Sequence, residues 1–362
     1  MKINVSKDIL LAGIQTVQNI VSSRVTLPIL SNILIETTDQ TVKLNATDLD
    51  IGISCEYPVN VLEKGSITIP AKRFSDVIRE LPSGDITIHS RKNNQIDIEG
   101  TNYQFRLNGL PADEYPKFPE FDKKDQIDIE QKIFKTMLRL TSFAVSHEES
   151  RYVLNGVLMV VVDKTITLVA TDGHRLAKIE NILKHAPQKD FSVILPVKAV
   201  HEINRNLKDE GIVSIVVGRN QVLFNIDGIL IATRVIEGEY PNYNQVIPPP
   251  VEHKINLNRQ EFLSAIRRAN LLATPDFQAV KFEVFKKKLV VSKTTPDVGE
   301  SREEIPIDHK GQEFFAGFNP QFLMDFLKNI DVENIDLELA GPDRPMVIRL
   351  ENYLYLALPM QV

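Results

Sequence analysis

The chain has 362 residues, 43% apolar and 25% charged, with a formal net charge of −6 and a single cysteine; this ordinary globular composition excludes a disordered or fibrous chain. No apolar run exceeds six residues (Val157 to Val162, Tyr353 to Leu358), where a membrane-spanning helix needs about 20, and Met1-Lys2-Ile3-Asn4-Val5 is no secretory signal start. One cysteine allows neither an internal disulfide nor a cysteine metal cluster, so a cytoplasmic location is expected, and the negative charge means that any nucleic-acid contact must use a local basic surface.

In chain order, Lys2 to Val5 reads as a strand, and Ser6 opens a helical pattern with Ile9, Leu10, Ile14, Val17, Ile20 and Val21 on one side. Three strand-like runs follow, Ile29 to Glu36, Thr41 to Ala46 and Ile51 to Val59. The order then restarts with a strand at Ser66 to Ile69 and a helix at Ala71 to Leu81. Strands at Asp85 to His89, Gln95 to Glu99 and Tyr103 to Leu107 complete it, with Ser83-Gly84 and Asn93-Asn94 as turn signals. The expected unit is β-α-β-β-β written twice, an α+β domain whose two helices cover antiparallel sheets. Further helices are expected near 131–146, 197–208, 259–273 and 320–329, and Cys55 is expected as a small core residue in a strand.

The chain repeats itself. Leu44-Asn45-Ala46-Thr47-Asp48 returns 124 residues later as Leu168-Val169-Ala170-Thr171-Asp172. Ile69-Pro70-Ala71-Lys72 returns as Leu195-Pro196-Val197-Lys198 and, more loosely, at Asn319-Pro320, while Glu114-Tyr115-Pro116-Lys117-Phe118 returns as Glu239-Tyr240-Pro241-Asn242-Tyr243. Ordered matches near one offset indicate domains of about 120 residues, three of which fill the chain. The charged, Pro-bearing stretch Lys117 to Asp125 and the run Ile247-Pro248-Pro249-Pro250-Val251 read as linkers, giving domains 1–121, 126–248 and 251–362.

Charge is unevenly divided. Lys132, Lys135 and Arg139 form a stripe opposite Ile133, Met137 and Leu140, and Lys198, Arg205 and Lys208 do so opposite Val200, Ile203 and Leu207. The six helical segments carry fifteen Lys and Arg against eight Asp and Glu, a surplus of seven, which leaves −13 on the remainder. Basic helices and acidic sheets suit a phosphate backbone on one side only. Without a recognition-helix code, an aromatic RNA-binding strand or a zinc knuckle, contact would be sequence-blind and salt-sensitive.

The Walker, dinucleotide, zincin, nucleophile-elbow and C-x-x-C motifs are absent. The one tempting constellation is Asp172, His174 and Arg175 in a turn, where an Asp could orient a His as general base. Its repeat partner, Thr47-Asp48-Leu49-Asp50, has no His, so a duplicated structural turn is the simpler reading. His147-Glu148-Glu149 lacks further ligands at helical spacing and reads as a solvated loop.

Five stretches together resemble the bacterial DNA polymerase III beta subunit family, the replication sliding clamps. They are Ser23-Arg24-Val25-Thr26-Leu27-Pro28-Ile29-Leu30-Ser31-Asn32, Arg151-Tyr152-Val153-Leu154-Asn155-Gly156, the turn Ala170 to Leu176, Glu239 to Tyr243, and Leu358-Pro359-Met360. The resemblance implies three clamp domains per chain and a head-to-tail homodimer closed into a ring, helices inside and sheets outside, with no catalysis and no cofactor or metal. Implied partners are double-stranded DNA, held topologically, and the replicative polymerase, clamp loader, and repair and translesion proteins, which insert a short Gln/Leu/Phe-type peptide. The implied peptide groove falls on Leu154, Thr171, Gly173, His174, Arg175, Leu176, Pro241, Val246, Asn319, Phe322, Pro345, Leu356, Leu358, Pro359 and Met360. In a tail that alternates Leu354, Leu356, Leu358 and Met360, Leu354 is read as core strand and the rest as groove wall. Implied DNA contacts are Arg24, Arg73, Tyr152 and Lys198, with His147 and Glu148 on a neighbouring loop, where Glu148 and Val153 replace the Gln and second Tyr of some relatives. The implied ring seam sets Phe105 against Leu271 and Leu272 of a second copy. Asn102 and Gln104 stand where the family has arginines beside Phe105, so apolar packing and paired sheet edges are expected to carry the seam.

Overall fold

A computed structural model of the chain describes residues 1–21, 27–121 and 126–362. These residues form six α-helices and 25 β-strands in two units, one of residues 1–134 with 201–235, the other of residues 135–200 with 236–362. The chain passes between the units within α3 (Gln131–Ser142), within α4 (Val197–Asn206) and after Val235.

In the first unit, α1 (Lys7–Val17) begins where Ser6 accepts the Ile9 N–H on its hydroxyl at 3.3 Å, a cap that contributes about 1 kcal/mol. Leu10, Ile14 and Val17 are buried. Gly13 is required on that face, because a Cβ there would lie 2.5 Å from Leu44 Cδ1 and 2.9 Å from the Tyr57 ring. α2 (Ala71–Glu80) follows Pro70 and buries Phe74 and Ile78. A five-stranded antiparallel sheet orders Asn60–Glu63, Lys2–Ser6, Asp85–Ser90, Gln95–Gly100 and Tyr103–Asn108. An eight-stranded sheet orders Gln126–Glu130, Ile212–Val217, Gln221–Ile226, Ile229–Arg234, Ile51–Pro58, Thr41–Thr47, Asn32–Thr37 and Ser66–Pro70. Its middle is a joint between two sequence repeats, with register Leu230 to Ser54 through Thr233 to Ile51.

The second unit repeats the pattern. Its eight-stranded sheet orders Phe191–Pro196, Gly156–Val162, Thr165–Thr171, Arg175–Ile182, Tyr353–Ala357, Met346–Arg349, Asn334–Leu339 and Ile255–Asn258. A four-stranded sheet orders Gly299–Pro306, Lys288–Thr295, Val280–Val284 and Phe314–Phe318. α5 (Arg259–Asn270) is capped by the Asn258 carboxamide, which accepts from Gln260 N at 3.0 Å and Glu261 N at 3.1 Å. α6 (Pro320–Asn329) has proline at its first position and Asn319 as its cap. Phe262, Phe282 and Phe318 form a tilted chain of rings at 5.7 Å spacing, and Phe326 stacks on Tyr355 at 4.5 Å. Each such ring contributes roughly 1.5–3 kcal/mol by burial.

Two expectations need correction. The run from Ile29 starts as a 3-10 turn, Pro28–Ser31, and the strand begins only at Asn32, because proline offers no N–H to a ladder. The run Ile51 to Val59 is one strand, Ile51–Pro58, but a further strand that was not expected, Asn60–Glu63, follows it and reaches away to pair with Lys2–Ser6. The first repeat thus has nine strands instead of about eight; Asn60–Glu63 escapes periodicity because it lies at a sheet edge with Leu62 half exposed. Cys55 is buried in its strand with its thiol pKa pushed up to about 12 by burial, which keeps it protonated and inert at neutral pH.

Asp97 supplies a test of the five-stranded sheet. Its fully buried carboxylate accepts from Arg106 Nε at 2.6 Å and Arg91 Nε at 2.5 Å, and these bonds, Arg106 foremost, hold its pKa below the usual carboxylate range. The folded pKa lies under the unfolded one, so this stabilisation is complete above about pH 4 and is lost as pH falls through the folded value. Asp97→Asn should cost about 1–3 kcal/mol at neutral pH and remove that acid-labile part. Urea unfolding midpoints at neutral and acid pH check this, and an unchanged acid sensitivity in the variant would contradict it.

Candidate functional site

The turn between strands Thr165–Thr171 and Arg175–Ile182 is fixed by its own backbone. Gly173 has φ +90°, a conformation costly for a residue with a Cβ. Thr171 Oγ1 donates to the Arg175 carbonyl at 2.5 Å and accepts from Gly173 N at 3.1 Å. Asp172 Oδ1 accepts from His174 N at 2.9 Å and Arg175 N at 3.0 Å, and its Oδ2 accepts from Arg175 Nε at 3.0 Å. The Tyr240 hydroxyl accepts Thr171 N at 3.1 Å, with burial raising the phenol pKa so that it stays neutral. Asp172 is spent on the turn and its arginine, and the His174 ring is exposed, with no carboxylate among the described residues to orient it. The reading of Asp172, His174 and Arg175 as a catalytic group therefore fails on geometry.

Arg175 is the electrostatic centre. Only 7% exposed, it donates from Nη1 to Asp325 Oδ2 at 2.7 Å and lies 4.4 Å over the Phe322 ring and 5.7 Å from that of Phe143. Burial works against its charge, but the carboxylates of Asp325 and Asp172 outweigh it and its pKa is raised. Removing a partner from such a buried pair typically costs 3–5 kcal/mol. Asp325 and Phe143 were not found by sequence reasoning, because the Asp325 partner lies 150 residues from Arg175 and leaves no local signal.

Strand pairing builds the floor. Leu176 faces Leu356 and Lys178 faces Leu354 across the joint, so Leu354 and Leu356 share a face, while Tyr353 and Tyr355 point the other way onto Phe326. Leu354 thus belongs to the strand as expected and packs, partly buried, against the apolar cluster on the Leu356 face. Leu158, Val169, Leu176, Ile194, Val347 and Leu356 form one buried apolar cluster, rimmed by Val153, Tyr240, Tyr243 and Leu354; of the floor, only Leu176 and Leu356 were anticipated. The tail is stitched down at two points, Leu358 N to the His174 carbonyl and Met360 N to the Gly317 carbonyl, both 2.8 Å. It leaves Leu358 and Met360 more than one-third exposed, with Val246 half exposed. Leu154 is buried at the end of a 3-10 segment, Glu149–Leu154. Pro241 is exposed, and Pro345 and Pro359 are partly buried. The Asn319 carboxamide is taken by the α6 cap, accepting from Gln321 N at 2.9 Å.

The residues read as DNA contacts divide between the units. Arg73 is exposed on α2 in the first unit, and Arg24 lies outside the described residues. In the second unit Lys198 is exposed on α4 and Tyr152 is 58% exposed. His147 is exposed, and Glu148 lies 3.3 Å from Arg151, whose Nη1 donates to the Asp172 carbonyl at 2.8 Å and so ties this loop to the groove turn. The basic stripes are partly neutralised, since Arg139 pairs with Asp331 at 3.1 Å, Arg205 with Glu202 at 2.9 Å and Lys208 with Asp227 at 3.0 Å. Counting helical cations overstates the free charge accordingly.

Phe105 is 41% exposed on Tyr103–Asn108, an edge strand of the five-stranded sheet. In the other unit Leu271, 81% exposed, and the partly buried Leu272 follow the C-terminus of α5. Gly299–Pro306 is an open edge of the four-stranded sheet. Among the described residues no group of three or more His, Cys, Asp or Glu could hold a metal ion, and no helix is long and apolar enough to cross a membrane.

Comparison with known proteins covers the whole chain. Family models for the N-terminal, central and C-terminal domains of the DNA polymerase III beta subunit match residues 1–119, 128–242 and 244–360. The chain is 32% identical to the beta sliding clamp of Chlamydia pneumoniae, over 100% of this chain and 99% of that one. It is 34% identical to the beta sliding clamp of Bacillus subtilis, over 100% of both. It superposes on the crystal structure of the DNA polymerase sliding clamp from Bacillus subtilis with a TM-score of 0.96 at 33% identity, covering 100% of this chain and 99% of that one. With a likeness that leaves no part of the chain unaccounted for, this protein belongs to the DNA polymerase III beta subunit family.

Proposed function

We propose that two copies of this chain close head to tail around duplex DNA and act as a processivity factor, a non-catalytic tether that keeps the replicative polymerase at its template. The observation that carries this reading is the match of all three beta-subunit domain models along one chain. In it the repeats are 1–121, 126–248 and 251–362, the protein works in the cytoplasm, and it needs no cofactor. DNA is held by enclosure and contacted through exposed cations such as Arg73 and Lys198, with Tyr152 and His147 beside them. Tethering raises the local concentration of a partner without demanding tight binding at each contact.

Sheet edges support the seam. Two joints between repeats are closed within the chain, each by the last strand of one repeat, Ile229–Arg234 or Tyr353–Ala357, pairing with the strand after the repeated turn of the one before. The counterparts that would form a third joint, Tyr103–Asn108 and Gly299–Pro306, are both open edges. A second copy closes them, burying Phe105 against Leu271 and Leu272. The double variant Phe105→Asp, Leu271→Asp should therefore sediment as a folded monomer at concentrations where the parent is dimeric. A dimer unchanged in the variant would refute this seam.

The groove around Leu176, Leu356, Leu358 and Met360 suits a short extended peptide with two or three apolar anchors, presented by the polymerase, clamp loader, and repair or translesion proteins. Its exposed wall residues can be changed without touching the Arg175 ion pair. With a cognate loader, ATP and the replicative polymerase, the parent protein should lengthen the product made per binding event. His174→Ala with Met360→Ala should abolish that gain while leaving the dimer intact, since truncating such anchors costs about tenfold or more in affinity. No lengthening by the parent would overturn the processivity reading; full lengthening by the variant would overturn the groove.

A further inference from the structure

The Thr171 to Arg175 turn has a twin in the first unit, 124 residues earlier, with the same backbone-satisfying hydrogen bonds but Ile51 in place of Arg175. Thr47 Oγ1 donates to the Ile51 carbonyl at 2.9 Å and accepts from Leu49 N at 3.0 Å. Asp48 Oδ1 accepts from Asp50 N at 3.0 Å and Ile51 N at 2.8 Å, and the Tyr115 hydroxyl accepts Thr47 N at 3.2 Å. The Asp50 carbonyl accepts Arg234 N at 2.8 Å, as the His174 carbonyl accepts Leu358 N.

The floors differ. Where the second unit pairs Leu176 with Leu356, the first pairs Gly52 with Ala232, so one isobutyl and one isopropyl group are missing. Phe118, from the segment after Pro116, leans into part of that space, 3.3 Å from where a Gly52 Cβ would lie. A cavity of about 180 Å³ remains, lined by Asn45, Gly52, Tyr115, Phe118, Ala232 and Arg234 among others. That is smaller than the roughly 300–1,000 Å³ of a small-molecule pocket and suits a single side chain. Asn45, 5% exposed, is fixed at the wall by its Nδ2, which donates to Glu36 at 2.9 Å. Exposed Lys117 and Arg234 line the same cavity with one exposed carboxylate, Asp50, a net positive surround.

We propose that this hollow is a second peptide-binding site. It takes an extended segment that inserts one leucine-sized side chain beside Phe118 and sets an acidic residue against Arg234 and Lys117. The ligand class, though not the site, rests on the peptide reading of the first groove.

The test is a methyl NMR titration of the full-length protein, labelled at Ala and Leu, with the probe acetyl-Ala-Leu-Asp-Ala-amide. The Ala232 methyl reports the hollow and the Leu356 methyls report the first groove, so the two readings succeed or fail separately. Saturable shifts at Ala232 are expected in the millimolar range, lost in Ala232→Leu, which fills the hollow. They should weaken about two- to fivefold in Arg234→Ala, a surface change that leaves the fold untouched, or when the probe's Asp is Asn. An Ala232 methyl that does not move, or shifts unaffected by Ala232→Leu, or an affinity indifferent to both Arg234→Ala and the neutral probe, would overturn the proposal.

Discussion

An unpaired sheet edge is a liability, and most of this architecture follows from how its edges are closed. Each repeat ends on a strand whose free edge invites another strand, and twice along the chain the partner comes from the preceding repeat. The pairing of Arg175–Ile182 with Tyr353–Ala357 turns two four-stranded halves into one continuous sheet. Because side chains alternate, it also aligns Leu176 with Leu356 on one face and leaves the buried tyrosines on the other. The apolar cluster beside the turn is thus a by-product of the joint, and the same rule directs the two edges left open toward a second copy.

A joint that brings distant strands together needs a rigid corner, and the Thr171 to Arg175 turn supplies it. Its hydroxyl, carboxylate and buried phenol satisfy the turn's backbone without help from solvent. Arg175 then converts a local turn into a tertiary one by reaching Asp325 on α6. The buried charge gains specificity of position at a desolvation cost that its two carboxylates and the Phe322 ring offset. Chemistry that looked catalytic in one dimension is structural in three: an Asp and a His two residues apart share a turn through a backbone N–H, and the imidazole is left to solvent.

Much of this was legible in the sequence. Ser6 marks a helix start because capping is local, and the repeated Ala-Thr-Asp predicts two equivalent turns because hydrogen bonds within a turn depend on four or five consecutive residues. What could not be read is what depends on partner choice. Periodicity does not say that Ser54 will pair with Leu230, that Arg175 will find Asp325, or that Arg139, Arg205 and Lys208 will be partly neutralised by nearby acids. The resemblance named Leu356 and Asn319 alike, yet it did not distinguish Leu356, buried in an apolar cluster, from Asn319, whose side chain caps a helix.

In a closed ring of two copies, DNA is held by enclosure and not by affinity. The most direct measurement loads the protein onto nicked circular DNA with a cognate clamp loader and ATP, isolates the complex, and cuts the circle once with a nuclease. The account predicts that protein travelling with the circle is shed when the DNA becomes linear, because a closed ring can slide off an end. Equal retention on circular and linear DNA would mean that affinity holds it, and would contradict the account.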